Sequence, residues 1–156
     1  MLGSAKTLLQ VAALPYVWTD DGPEVALVTS RERRRWIIPK GWPERDCSLK
    51  AAAAQEALEE AGLEGDIAAE PIGSFNYRKG LDRGYTVTCR AFVFPMFVTL
   101  QRLRWKERKQ RRLIWMPLAE AAKRVDDKGL ARLLADLATA PERLSASLSE
   151  TRTGAS

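Results

Sequence analysis

Gly41-Trp42-Pro43-Glu44-Arg45-Asp46-Cys47-Ser48-Leu49, continued by Gln55-Glu56-Ala57-Leu58-Glu59-Glu60-Ala61-Gly62-Leu63, is the stretch on which the reading of this chain turns. Ser48 can cap a helix, Ala51 to Ala54 propagate one, and Gly62 is the expected C-terminal stop, so a helix is predicted over Leu49 to Ala61. On that helix Glu56, Glu59 and Glu60 stand at i, i+3 and i+4, three carboxylates on one face within one turn. Like charges at this spacing repel by about a few tenths of a kcal/mol per pair in water, and a divalent cation would convert that penalty into a site. Oxygen ligands without imidazole or thiolate favour magnesium or manganese over zinc. A solvated acidic helix face is the alternative.

On either side of the helix the period changes. Gln10 to Val17 and Glu24 to Ser30 are strand-like runs around the turn cluster Thr19-Asp20-Asp21-Gly22-Pro23, which predicts a hairpin. Trp36 to Pro39 is a short third strand. Beyond the helix, Ile72 to Tyr77 and Tyr85 to Leu100 alternate as strands around the loop Lys79 to Gly84, and Arg111 to Met116 forms another. Two helices close the pattern, around Leu118 to Val125 and Lys128 to Thr139. The Leu130, Leu133, Leu134, Leu137 stripe on the second is core packing. Pro141 to Ser156 is polar and Ser/Thr-rich, so one domain over 5–140 with a flexible tail over 141–156 is expected.

Composition narrows the chemistry. The 156 residues are 46% hydrophobic and 29% charged, enough for one core without disulfide or metal staples. There is no histidine, which excludes a Ser-His-Asp or Cys-His nucleophile, a histidine base and nearly every zinc site. Cys47 and Cys89 share no CxxC spacing, which suits a reducing cytoplasm. Lys6 with Thr7 to Val17 is read as a first strand and not a leader, since Gln10 interrupts it and no small-x-small site follows. No apolar run approaches the roughly 20 residues that cross a bilayer, so no membrane partner is expected. A net charge of +5 favours anionic partners.

The quoted stretch resembles the Nudix box, whose pattern is Gly, five residues, Glu, seven residues, Arg-Glu-apolar-x-Glu-Glu-x-Gly-apolar. Gly41, Glu56, Glu59, Glu60, Gly62 and Leu63 fall in register. Five identities at fixed offsets, each with a background of roughly 6–7%, arise by chance about once in a million placements. Pro39-Lys40-Gly41-Trp42-Pro43-Glu44, the Leu27 to Arg31 strand and the Trp105 to Trp115 segment extend the likeness to a bacterial branch similar to diphosphoinositol polyphosphate phosphohydrolases, over roughly Val11 to Leu137. The box is degenerate at two positions: Cys47 stands for its first glutamate and Gln55 for its arginine. In the family these two are thought to pair and brace the loop against the helix. Losing both strands no charge, whereas losing one would.

The resemblance implies an α/β (α+β) architecture, an α/β/α sandwich with a mixed central sheet, the box helix on one side and a C-terminal helix on the other. It implies a pyrophosphohydrolase acting on a phosphoanhydride such as a dinucleoside polyphosphate, an inositol pyrophosphate or a related nucleotide derivative. Mg2+ or Mn2+ would be held by Glu56 and Glu60 with the Gly41 carbonyl, and Glu59 would serve as general base or third ligand. Glu107 is a second candidate base, with a structural salt bridge to Arg111 or Arg112 as its alternative. Arg31, Lys40, Arg45, Lys79 and Arg83 are the expected phosphate-binding cations, Arg31 and Lys40 above all because they flank the strand leading into the box. The run Lys106 to Arg112 reads as a nucleic-acid patch, but Glu107 sits inside it and Trp105 and Trp115 can pack as well as stack, so nucleic acid is not the expected partner. A homodimer is left open. The competing class is a weak or silent module of this fold binding polyanions or RNA.

Overall fold

The first strand is the spine of the molecule. In a computed structural model, which describes residues 6–146, β1 (Thr7–Thr19) turns into β2 (Gly22–Thr29) as the hairpin signal requires. Then come β3 (Trp36–Ile37), β4 (Lys40–Gly41), α1 (Leu49–Ala61), β5 (Leu63–Ile67), β6 (Gly73–Gly80), β7 (Thr86–Gln101), β8 (Leu113–Pro117), α2 (Leu118–Arg124) and α3 (Lys128–Thr139). β1 lies parallel to β7 from Thr7↔Thr88 to Tyr16↔Phe97. The remaining pairs are antiparallel, and the described residues form one mixed sheet of eight strands with β2, β1 and β7 at its centre.

Period-two alternation explains the layers. Val11 and Ala13 of β1 join Ala26 and Val28 of β2 and Phe94 and Met96 of β7 under the alanines of α1. The alternate residues, Ala12, Leu14, Tyr16, Val25, Leu27, Ala91 and Val93, pack under Leu118 and Ala121 of α2 and Leu130, Leu134 and Leu137 of α3. The expected α/β/α sandwich is therefore the fold.

Three details depart from the sequence reading. The expected third strand, Trp36 to Pro39, is divided: β3 pairs with β2, and after Pro39 the chain crosses to pair with β1 as β4. Proline has no N–H to continue the first ladder, while its carbonyl accepts from Ala13 N at 2.9 Å. β5 has no counterpart among the expected strands, because Gly65 and a bulge at Glu64/Gly65 break its alternation, although Leu63 and Ile67 do reach the α1-side core. Leu144 is fully buried against the α3 side, so packing continues past the expected domain edge. Residue 5 and most of the expected tail, 147–156, lie outside the described residues. No helix among the described residues is long and apolar enough to cross a membrane.

Candidate functional site

α1 carries the site because its buried stripe is made of small residues. Ser48 accepts a hydrogen bond from Ala51 N at its start, and Gly62 closes it in the left-handed conformation. Ala53, Ala57 and Ala61 form one row at i+4 spacing, and Ala52, Glu56 and Glu60 form the row beside it. The alanines let the helix approach the β1–β4 fork closely. Gly41, hydrogen-bonded into β1 opposite Val11, then lies directly under Glu56. A Cβ at Gly41 would sit 2.2 Å from Glu56 Oε1 and 2.4 Å from its Cδ.

That contact gives a first expected outcome. Gly41→Ala should push the Glu56 carboxylate aside while leaving the fold nearly intact, because the clash is with the free end of a side chain. A stability change under about 1 kcal/mol and a loss of about tenfold in Mn2+ affinity are expected. Unchanged affinity by calorimetry would remove Glu56 from the site.

Glu60 is 4% exposed, and its Oε1 is buried without a hydrogen-bond donor among the described residues. Burial, and a hydrogen bond shared with Glu56, push the Glu60 carboxyl up to about 9, so without a cation it holds a proton at neutral pH. Burial also raises Glu56, and Glu59 adds to this. Two carboxyl groups this close, one with an oxygen no protein donor reaches, form a donor set suited to a hard divalent ion, and Gly41 brings its backbone to the same place. Glu59, partly exposed, accepts from Gln55 Nε2 at 3.0 Å through its Oε1. Among the described residues no three acidic or cysteine side chains form a ready-made cage. The two degenerate box positions thus do different things, since Gln55 holds Glu59 while Cys47 packs against the α1-side core. Both cysteines are free thiols.

Glu107, 8% exposed, is tied down. Its backbone N–H donates to Glu59 O at 2.9 Å. Its Oε1 accepts from Arg111 Nη2 at 3.0 Å and Nε at 3.2 Å, which is the structural salt bridge named beside the base reading. Arg111 also donates to Thr29 O at 3.0 Å and reaches Glu60 Oε1 at 3.8 Å, an ion-pair distance too long for a hydrogen bond. Sequence reasoning placed Arg111 only as a partner of Glu107; its approach to Glu60 has no local signal.

Of the expected phosphate-binding cations, Arg31 lies 3.6 Å from Glu107 Oε1 and donates to Gln110 at 3.4 Å, so it borders the carboxylates. Lys40 is half-buried, its ammonium 4.7 Å from the Tyr77 ring centroid, and the Tyr77 hydroxyl donates to Gln10 Oε1. Burial holds the Lys40 amine below its usual range, against the pull of Glu60. Lys79, two residues along β6, stands 5.9 Å over the exposed Trp42. Arg45 and Arg83 are exposed on separate loops, Arg83 at the β6–β7 turn. In the basic run Glu107 is turned inward, and the Trp105 ring covers Gly62.

The family model of the NUDIX domain matches residues 8–137. Nudix hydrolase 12, mitochondrial, of Arabidopsis thaliana is 35% identical over 104 residues, which are 63% of this chain and 50% of that protein. The chain spans about half the length of the curated relatives it matches. Among solved structures, a NUDIX hydrolase from Nitrosomonas europaea superposes with a TM-score of 0.64 at 22% identity, covering 86% of this chain and 90% of that one. A C. elegans Ap4A hydrolase binary complex superposes with a TM-score of 0.62 at 18% identity, covering 92% and 99%. These two likenesses are of fold.

Proposed function

The chain belongs to the Nudix domain family, and on that basis we propose that it is a divalent-metal-dependent hydrolase of a diphosphate linked to another group. The observation that carries this reading is the Glu56–Glu60 pair against Gly41, with Glu60 Oε1 unmatched by any donor among the described residues. Glu56 and Glu60, with the Gly41 carbonyl, would hold Mg2+ or Mn2+. Held there, such an ion would supply charge neutralisation to a diphosphate and lower the pKa of a bound water.

The chain's own residues supply the rest. Each glutamate makes these contacts through Oε1 alone: Glu59 Oε1 meets the neutral amide of Gln55, whereas Glu107 Oε1 is paired with two cations, Arg111 and Arg31. We therefore assign the base role to Glu59 ahead of Glu107. Arg31, Lys40 and Lys79 supply positive charge around the carboxylates, and Arg45 and Arg83 extend it along the loops. Dinucleoside polyphosphates, inositol pyrophosphates and related nucleotide derivatives all offer the same diphosphate. The free thiols Cys47 and Cys89 support a reducing, cytoplasmic setting.

Phosphate release from a panel of these compounds, with Mg2+ or Mn2+ and with chelator, tests the reading. Turnover abolished by chelation is expected. No turnover of any diphosphate, together with RNA binding that falls steeply with salt, would instead favour a silent module, to which the Cys47 and Gln55 departures point.

A pH dependence follows from Glu60. Its carboxyl titrates near 4.5 in an unfolded chain and about 9 in the metal-free fold. The proton it retains stabilises the fold fully below pH 4.5, and this contribution is lost as pH rises through about 9. Metal-free protein should therefore lose stability over that window. Loading Mn2+ at pH 7 should release a proton, seen by calorimetry in buffers of different ionisation enthalpy; zero release would mean that Glu60 is already ionised.

A further inference from the structure

We propose that Arg111 is a positioning residue for Glu60, a fork that ties the carboxylate end of α1 to β2 and to the Glu107 loop. The inference rests on reading Glu56 and Glu60 as a cation site.

Arg111 is nearly enclosed, its side chain 9% exposed. Each edge of the guanidinium is used. Nη1 donates to Thr29 O at 3.0 Å, at the end of β2. Nε and Nη2 donate to Glu107 Oε1 at 3.2 and 3.0 Å. Nη2 also faces Glu60 Oε1 at 3.8 Å. The anchors are themselves held: Thr29 Oγ1 accepts from Arg112 N at 2.9 Å, Thr29 N donates to Arg112 O at 3.0 Å, and Glu107 N is bonded to Glu59 O. The fork therefore has no room to rotate.

The consequence for Glu60 is specific. An unpaired buried carboxylate is unstable, and one hydrogen-bonded to arginine would have its lone pairs occupied. At 3.8 Å Arg111 supplies attraction without taking the oxygen, so Glu60 faces Glu56 while Oε1 stays open to a cation. Glu107 absorbs the hydrogen-bonding capacity that would otherwise turn to Glu60. Lysine carries the same charge but is a single point donor and cannot span Thr29, Glu107 and Glu60 together.

Metal affinity makes the inference testable without turnover. Removing the Arg111 charge has two opposed effects, less repulsion of the ion and a firmer hold of Glu60 on its proton, so the charge-preserving Arg111→Lys is the variant that isolates positioning. If Arg111 positions Glu60, affinity falls in both. Calorimetric titration of Mn2+ into the folded, metal-free protein is expected to give at least tenfold weaker binding for Arg111→Gln, at least threefold for Arg111→Lys, and a loss for Glu107→Gln that does not add to that of Arg111→Gln. Near-UV circular dichroism and the unfolding midpoint report whether each variant is folded. Should Arg111→Gln not fold, Arg111→Lys decides: wild-type affinity in that variant overturns the fork. Unchanged or tighter binding in a folded Arg111→Gln overturns the proposal while leaving the metal site standing. A wild-type protein that binds no Mn2+ overturns the site reading and this inference with it.

Discussion

Glu60→Gln should lower divalent-dependent turnover at least 100-fold, a barrier increase of about 2.7 kcal/mol or more. The size follows from position. Glu60 is buried beside Glu56, and its Oε1 meets no hydrogen-bond donor among the described residues. Glutamine keeps the shape but offers a neutral amide in place of an anionic oxygen. Stability separates this from unfolding. Because the wild-type carboxyl holds a proton at neutral pH in the metal-free protein, replacing it by another neutral group removes no charge from the fold. The metal-free unfolding midpoint should stay close to wild type, while stabilisation by added Mn2+ disappears. A rate within about threefold of wild type, less than about 0.7 kcal/mol of barrier, would show that Glu60 is not a metal ligand.

Gly62→Ala is expected to destabilise the protein by about 2–4 kcal/mol, from two independent causes. Gly62 has φ +68°, which alanine adopts at a cost of about 1 kcal/mol. An added Cβ would also lie 2.3 Å from Trp105 Cε3 and 2.4 Å from its Cδ2, under a rigid ring and not a flexible tip. Gly62 holds more than the helix end. Its carbonyl accepts from Arg102 N at 2.8 Å, and Gln101 Nε2 bonds the Ala61 and Gly62 carbonyls at 3.2 and 3.3 Å. The segment these contacts dock carries Glu107 and leads to Arg111, so displacing Trp105 should weaken Mn2+ binding along with stability. Denaturant unfolding with unchanged slope and a lowered midpoint is the expected signature; a midpoint within about 0.5 kcal/mol of wild type would mean that Trp105 moves away freely.

The box helix was legible because every signal in it is local. Ser48 to cap, alanines to propagate and Gly62 to stop sit within one stretch of chain, and α1 runs Leu49–Ala61 as those residues predict. The hairpin and the C-terminal helices were legible for the same reason. β5 was not, since a five-residue edge strand with a glycine and a bulge has too little pattern of its own and is defined by β7 beside it. The division of β3 from β4 was equally hidden: Pro39 marks where one ladder ends, but the new partner is β1, thirty residues back at the Val11↔Gly41 pair.

At the site the same boundary applies. Helical spacing by itself determined that Glu56, Glu59 and Glu60 crowd one turn, and that their repulsion calls for a counter-charge. Packing decided how deeply each of them is buried. The sheet buries Glu60 in the row it shares with Ala52 and Glu56, while Glu59 stays partly exposed and accepts from Gln55. The Glu107–Arg111 pair was readable at i+4, whereas the 3.8 Å approach of Arg111 to Glu60 spans 51 positions and exists only because β2, α1 and the 107 loop meet. Periodicity is a property of the chain; burial, and the shifted proton affinity it imposes on Glu60, is a property of what the chain is packed against.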